Sequence, residues 1–517
     1  MAIGSRSILT KIVCTLGPAS RDPKLVAKLI DEGMRIARIN FSHGTLDDFK
    51  TTLDAAREAS RIAGVPLGIF GDLSGPKIRV TSVDDGRIDL APGDHVEILH
   101  DPDRPGSRDP STGVVTLACT YEHIAQEVEP GHRVLINDGA IRMLCTDRIL
   151  DNADGLNRGD RLICSVVVGG PVTNKKGINL PDSDLSAPSM TDWDETCAEW
   201  AVEHNLDFLA LSFVRRADDI KQLQALLKTL GRDHRELRSH TRLPIIAKIE
   251  MPQAIKDLDD ICAVSDAIMV ARGDLGVEMD LAQVPTIQKR IIQAAHNHGR
   301  PVIVATQMLE SMIEAAAPTR AEVSDAANAV LDGADALMLS GETAVGQYPF
   351  EAVNILARTA QQTERYLRQQ ADQRPPRPPK LAQESKYRTA ALTHGVSVVA
   401  HDLDAKYVAM WSELGGSARH LSQCRLLMPV LAVSSNERAL RQMCLNFGIT
   451  PIHMDRPADA TTFIEAIDRF LRAANLADPG DAIVLCQGDP LGTPGVTNSI
   501  RVHYIGDVCR LTWHVKN

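Results

Sequence analysis

Eight short runs of apolar, β-favouring residues, each closing on a polar side chain, constrain this chain more than any other feature: 11–15, 35–40, 67–72, 208–212, 245–250, 267–274, 302–306 and 336–342. Nearly continuous apolar runs of this length fit strands buried on both faces, and the stretches between them carry helix-length apolar spacing, as over 23–32 and 281–296. Eight strand–helix units are the count of a (β/α)8 barrel, whose chemistry gathers where the strands end. A doubly wound open sheet uses the same alternation and stays open as an alternative at this stage.

At 517 residues the chain exceeds one packed core. Residues 1–76 and 188–367 read as the barrel, interrupted at 77–187 by a segment of different texture. That insertion is rich in turn residues, such as Asp84-Asp85-Gly86, Pro92-Gly93-Asp94, Pro130-Gly131-His132 and Arg158-Gly159-Asp160. Strand-like pieces at 95–99, 133–136 and 161–168 lie between them, which predicts a small β-barrel lid domain. A proline-dense stretch, Arg374 to Lys380, predicts a stiff linker. Beyond it, strand runs at 407–411, 430–433, 482–486 and 500–505 alternate with helical patterns such as 463–474, so 368–517 is expected to be an α/β domain of regulatory type.

The net charge, 56 − 67 = −11, argues against general nucleic-acid binding, although a locally basic cleft can still hold a nucleotide. The ten cysteines form no close CxxC pair, which speaks against a zinc site or disulfide framework and for a reducing cytoplasm. Arg6 and Lys11 interrupt the first apolar stretch, and no later run reaches the ~18 residues of a membrane span, so neither signal peptide nor membrane anchor is expected.

The chemistry-bearing residues fall at the ends of the predicted strands. Lys248 and Glu250 alternate onto one face, and Gly273-Asp274 lies one strand away. A cation beside one carboxylate, with a second carboxylate near, suits a divalent metal and an anionic oxygen: Mg²⁺ takes one or two protein carboxylates and fills its shell with water and phosphate oxygens. A structural Lys248–Glu250 ion pair is the plainer reading. Arg38 offers a planar fork for phosphate, with Asn40 and Ser42 as oxygen donors on the same strand face; a polar strand-to-helix turn capped by Ser42 or His43 is the alternative. Asp72 adds a carboxylate, Thr306 a hydroxyl, and Ser340-Gly341-Glu342-Thr343 more of both. No GxxxxGK[ST] loop, GxGxxG or HExxH occurs, so phosphate handling falls to cations and metal.

Five blocks together resemble the pyruvate kinase family: Thr10 to Ser20 (TKIVCTLGPAS), Ile39 to Gly44 (INFSHG), Ala247 to Glu250 (AKIE), Met269 to Glu278 (MVARGDLGVE) and Pro318 to Asp325 (PTRAEVSD). The resemblance spans nearly the whole chain. It implies phosphoryl transfer from phosphoenolpyruvate to ADP, giving pyruvate and ATP, with Mg²⁺ or Mn²⁺, in a homotetramer whose subunit contact includes the block of Arg320. By the same resemblance Lys248 bridges the transferring phosphoryl group, Glu250 and Asp274 hold the metal, and the Gly273 and Asp274 backbone receives the substrate carboxylate. Arg38 grips the phosphate, and Thr306 lies by the enolate carbon. Asn40, Phe41, Ser42, His43, Arg79 and Lys176 face the nucleotide, so lid closure completes the site. The demand for positive charge is physical: at ~4 Å and an effective dielectric near 20, each unit-charge pair is worth roughly 4 kcal/mol, and two polyanions must meet.

Two departures from the family pattern carry expectations of their own. Most members hold K⁺ at positions matching Asn40, Ser42, Asp72 and Leu73; here Asp72-Leu73-Ser74-Gly75-Pro76-Lys77 resembles the minority that work without K⁺, with the Lys77 ammonium standing in for the ion. In the C-terminal domain the family's sugar-phosphate loop is matched by Ser412-Glu413-Leu414-Gly415-Gly416-Ser417, where Leu414 removes a hydroxyl and Glu413 adds a negative charge. That speaks against fructose 1,6-bisphosphate and leaves another phosphorylated effector, or none. Two other readings compete: a metal-dependent aldolase or lyase acting on pyruvate enolate, which gives no reason for Arg79, Lys176 and a lid, and a non-catalytic sensor, which gives none for an intact Lys248, Glu250, Asp274 and Thr306.

Overall fold

The computed structural model describes residues 8–150, 159–233, 243–371, 388–492 and 496–507; the expected proline linker lies outside them. Eight parallel strands close into a barrel in sequential order: β1 (Lys11–Thr15), β2 (Met34–Asn40), β3 (Gly68–Asp72), β4 (Phe208–Leu211), β5 (Ile245–Ile249), β6 (Ala267–Ala271), β7 (Val302–Ala305) and β8 (Ala336–Leu339). Closure excludes the open-sheet alternative.

Alternation along these strands sorts their residues between two cores. One set, including Ile12, Ala37, Ile69, Leu209, Ala247 and Val304, packs outward against the surrounding helices. The other points into the barrel: Val13, Ile36, Phe70, Ala210, Ile246, Met269, Ile303 and Met338, with Cys444 and Leu445 of the C-terminal domain packed against this inner set. Moving two residues further along most of the inward rows, though not those of β6 and β7, where Ala271 and Ala305 follow, replaces oil by polarity. Val13 is followed by Thr15, Ile36 by Arg38, Phe70 by Asp72, Ala210 by Ser212 and Ile246 by Lys248. Strand period alone therefore delivers an arc of polar groups, from β1 to β5, to the carboxyl-end mouth.

The sequence predicts strand over 267–274, but β6 stops at Ala271 and Arg272–Glu278 is helical, so Asp274 sits in the first turn of a helix rather than on a strand. The apolar run does not reveal this boundary. It is fixed by tertiary partners: the Arg272 guanidinium pairs with Asp325 at 2.6 Å and donates to the Thr306 carbonyl at 2.9 Å.

Between β3 and β4 the chain forms a seven-stranded sheet and a two-strand ribbon, Arg87–Leu90 with Gly170–Thr173, around a separate apolar core that includes Val96, Ile98, Val134, Met143 and Leu162. After the barrel, a five-stranded sheet runs in the order Ile449–His453, Val430–Ser434, Tyr407–Trp411, Ala482–Gln487, Ser499–Tyr504, with only the last strand antiparallel. The strand Ile449–His453 went unread in the sequence, where Pro451 argues against a strand; it lies at the sheet edge, where proline is tolerated.

Candidate active site

At the barrel mouth one buried carboxylate organises two cations. Asp72, 1% exposed, accepts from Arg38 Nε at 2.7 Å through Oδ2, while its Oδ1 lies 3.3 Å from the Lys248 ammonium. Lys248 also meets Glu250 Oε1 at 2.9 Å and donates to Ser212 Oγ at 2.6 Å. The second Glu250 oxygen accepts from the Phe213 backbone N–H at 2.7 Å, and Arg38 Nη1 donates to Thr15 Oγ1 at 3.0 Å. Each long side chain is thus held at both ends, its root in the barrel wall and its tip in the charge cluster.

The electrostatics follow from burial set against pairing. Burial pushes Asp72 up, but Lys248 and Arg38 outweigh it and hold the carboxyl below its ordinary value. For Lys248 burial works downward, yet Asp72 and Glu250 prevail and raise it, so the ammonium stays charged. Glu250 is raised: burial dominates, Lys248 pulls it down, and Asp274 adds repulsion. The Asp274 carboxylate makes no hydrogen bond or ion pair among the described residues. A pair of mutually repelling hard-oxygen donors, one of them uncommitted, fits a divalent cation that completes its shell with substrate oxygens. No group of three or more His, Cys, Asp or Glu that could hold a metal occurs among the described residues.

Across the mouth the Gly273 N–H donates to Thr306 Oγ1 at 2.7 Å, and Thr306 Oγ1 donates to the Ala305 carbonyl at 2.6 Å. Thr306 and Gln307 both adopt positive φ, 69° and 54°. A β-branched residue there is strained, and strain of this kind persists where surrounding contacts over-determine the backbone.

The remaining residues of interest are less closely joined. Asn40 Oδ1 accepts from the Ser42 N–H at 3.2 Å, and Ser42 and His43 are exposed. Phe41 is buried against Phe49 and Trp200, so its part in any ligand contact falls to its backbone. Leu73 is fully buried, its N–H donating to the Ala210 carbonyl at 3.0 Å. No hydrogen bond or ion pair joins Lys77 to Asn40, Ser42, Asp72 or Leu73; its ammonium lies 3.8 Å from Asp138 of the lid. Arg79 donates to the Lys175 carbonyl at 3.0 Å, and the Lys176 carbonyl accepts from the Val80 N–H, which places both basic residues at the root of the lid. Glu342 does not reach the mouth: it is fully buried and accepts from the backbone N–H groups of Leu309 and Ser340.

Sequence reasoning missed Thr15 and Ser212, which the inward row beyond Val13 and Ala210 could have supplied. It also missed the hydrogen bond from Asn179 Nδ2 of the lid to Glu278 Oε1, 2.7 Å long. Glu278 lines a cleft of about 830 Å³ between lid and barrel, together with Arg133, Asp182, Gln253 and Lys256. None of the Lys248 cluster lines it. A smaller cavity of about 250 Å³ in the C-terminal domain is lined by Ser412, Glu413, Leu414, Ser417 and Arg419, with Glu413 Oε1 accepting from Ser435 Oγ at 2.8 Å.

Comparison with known proteins gives the family. The family model for the pyruvate kinase barrel domain matches residues 8–353, and that for the pyruvate kinase alpha/beta domain matches 390–503. A pyruvate kinase of Corynebacterium glutamicum is 38% identical over 502 residues, covering 97% of this chain and 98% of that one. A pyruvate kinase of Mycobacterium tuberculosis is 39% identical over 497 residues, covering 96% and 98%. A crystal structure of a pyruvate kinase from Cryptosporidium parvum superposes with a TM-score of 0.85 at 31% identity, covering 96% of each chain. With both domain models matched and full-length relatives of this similarity, the chain belongs to the pyruvate kinase family of phosphotransferases.

Proposed function

We propose that the barrel mouth transfers the phosphoryl group of phosphoenolpyruvate to ADP, and that it does so without K⁺. The observation that carries this reading is Lys248, held between Asp72 and Glu250 with its ammonium charged and Asp274 uncommitted beside it. Lys248 and Arg38 meet the negative charge spread over the transferring phosphoryl oxygens, and because both are already anchored, little reorganisation is needed as that charge develops. Glu250 and Asp274 would hold Mg²⁺ or Mn²⁺, which supplies further charge neutralisation and orients phosphate oxygens. The substrate carboxylate takes the Gly273 and Asp274 N–H groups; the Gly273 N–H is then withdrawn from Thr306 Oγ1, and that hydroxyl is free to order the water that protonates the enolate. Arg79 and Lys176, at the root of the lid, turn toward the nucleotide phosphates with Asn40 to His43 on the barrel side, and closure excludes water.

The proposal for K⁺ assigns its charge to Lys77, which reaches the phosphates by exchanging the distant, exposed Asp138 for a stronger anion as the lid closes. Pyruvate formation from phosphoenolpyruvate, ADP and Mg²⁺ in tetramethylammonium buffer tests both parts. Brisk turnover unchanged by added K⁺ supports them; activity only with K⁺ removes the role of Lys77, and no activity with the fold intact removes the reaction.

For the C-terminal cavity we propose a phosphorylated effector other than fructose 1,6-bisphosphate, with Arg419 as its cation. Titrating activity with AMP, ribose 5-phosphate and hexose phosphates would give flat curves if this is wrong. A homotetramer in a reducing cytoplasm completes the proposal; nine described cysteines are free and buried, and no helix among the described residues is long and apolar enough to cross a membrane.

A further inference from the structure

Two buried polar atoms face the same shortage at the seam between lid and barrel. Asn179 ends the lid strand Ile178–Asn179, three residues beyond Lys176, and Glu278 ends the Arg272–Glu278 helix, one turn beyond Asp274. The amide Nδ2 donates to Glu278 Oε1 at 2.7 Å. Its other atom, Asn179 Oδ1, and the other carboxyl oxygen, Glu278 Oε2, are both buried and both lack a hydrogen-bond partner. Each is an acceptor when the carboxyl is ionised. A planar carboxylic acid opposite a planar amide removes both deficits at once: a proton on Oε2 donates to Oδ1 while Nδ2 donates to Oε1.

We propose that Glu278 is a positioning residue for lid closure, its carboxylic acid and the Asn179 amide forming a two-bond latch between the lid and the helix that carries Gly273 and Asp274, which opens when the proton leaves. The surroundings favour the protonated form. Glu278 is 3% exposed, and burial lifts its pKa to about 7, opposed by Asn179 and Arg133 and assisted by Asp274 and Glu250. The other charged groups lining the cleft are Asp182, Asp184, Asp257 and Asp280 against Arg133, Arg215, Arg216 and Lys256; Asp182 is paired with Arg133 at 2.7 Å. Loss of the proton leaves Oδ1 without a donor and sets it against a second acceptor oxygen, Oε2, so the lid contact loosens as pH rises. The latch ties the strand that follows Lys176 to the helix of Asp274, so its state sets how often nucleotide and phosphate subsites coexist.

The inference rests on the phosphoryl-transfer reading for its kinetic consequence, but not for its structural one. Glu278→Gln keeps both hydrogen bonds at every pH, amide to amide; Glu278→Leu and Asn179→Ala remove them at every pH. Relative to Glu278→Gln, the wild type should show a KM for ADP that rises about fivefold from about pH 6 to about pH 8, the worth of roughly one hydrogen bond, with Asn179→Ala high throughout. Hydrogen exchange over residues 170–180, corrected for intrinsic rates, should lose protection above pH 7 in the wild type and not in Glu278→Gln. A Glu278→Gln variant with the wild-type pH dependence, or one that matches Glu278→Leu and Asn179→Ala, overturns the latch. If no pyruvate forms, the exchange experiment still decides the latch, and the failure belongs to the assigned reaction.

Discussion

Thr306 joins backbone strain and a proposed chemical role in one residue. Its φ of 69° is a conformation that glycine adopts freely and a β-branched side chain does not, and its hydroxyl accepts the Gly273 N–H. Thr306→Gly should therefore retain or raise stability, by as much as about 1 kcal/mol in urea titration, while pyruvate formation falls by roughly 10²-fold because the hydroxyl is gone. Reduced stability with near-normal turnover would show that the hydroxyl serves only the backbone. At this scale the sequence was most legible where a side chain's charge leaves few uses for it. Lys248 and Glu250 share a face by strand period, and they meet at 2.9 Å. Ser212 and Thr15 were not legible, because a hydroxyl at a strand end caps, bonds backbone or anchors a cation with equal ease; only the tertiary approach of Lys248 and Arg38 chooses.

The Arg272–Glu278 helix is the element on which the site depends most, and it is short, with no side-chain cap at its start. Seven residues cannot hold a helix by propensity alone. Its first residue is clamped instead by Asp325, on the helix Arg320–Leu331 that begins with a reciprocal cap between Thr319 and Glu322. Asp325→Ala should raise the KM for phosphoenolpyruvate by roughly tenfold with a smaller effect on the KM for ADP, since the backbone N–H groups of Gly273 and Asp274 lose their fixed position. Equal changes in both would mean a general loss of order. This element also marks the limit of what the sequence could yield. A continuous apolar run states that a segment is buried, and where strand gives way to helix the first helical residue, Arg272, meets a partner, Asp325, that lies 53 positions away.

Across the whole molecule, two buried carboxylates at the starts of barrel strands tie the C-terminal domain to the barrel floor. Asp207 accepts from Arg441 at 2.8 Å and from Arg57 at 3.2 Å, and Asp335 pairs with Arg425 at 3.0 Å and His296 at 3.3 Å. Burial pushes Asp335 up, but Arg425 and His296 outweigh it and hold it below its ordinary value, so its contribution to stability is present above the ordinary carboxylate pKa and lost as pH falls through the lowered one. Asp335→Ala leaves the part-buried Arg425 guanidinium without its carboxylate and should cost about 3 kcal/mol in urea denaturation, with a shallower acid transition. The order of domains could be read from changes in texture along the chain. The clamp between them could not, because Asp207 and Asp335 each look like an ordinary turn residue before a strand.

The central claim is that the Lys248 cluster moves a phosphoryl group from phosphoenolpyruvate to ADP. It is tested most directly by measuring pyruvate and ATP formed from phosphoenolpyruvate, ADP and Mg²⁺, for the wild type and for Lys248→Met of verified fold. The account predicts equal amounts of the two products from the wild type and a rate at least roughly 10³-fold lower from Lys248→Met, as expected when a preorganised charge facing the transition state is removed. Pyruvate without ATP, or a Lys248→Met variant that keeps its turnover, would contradict it.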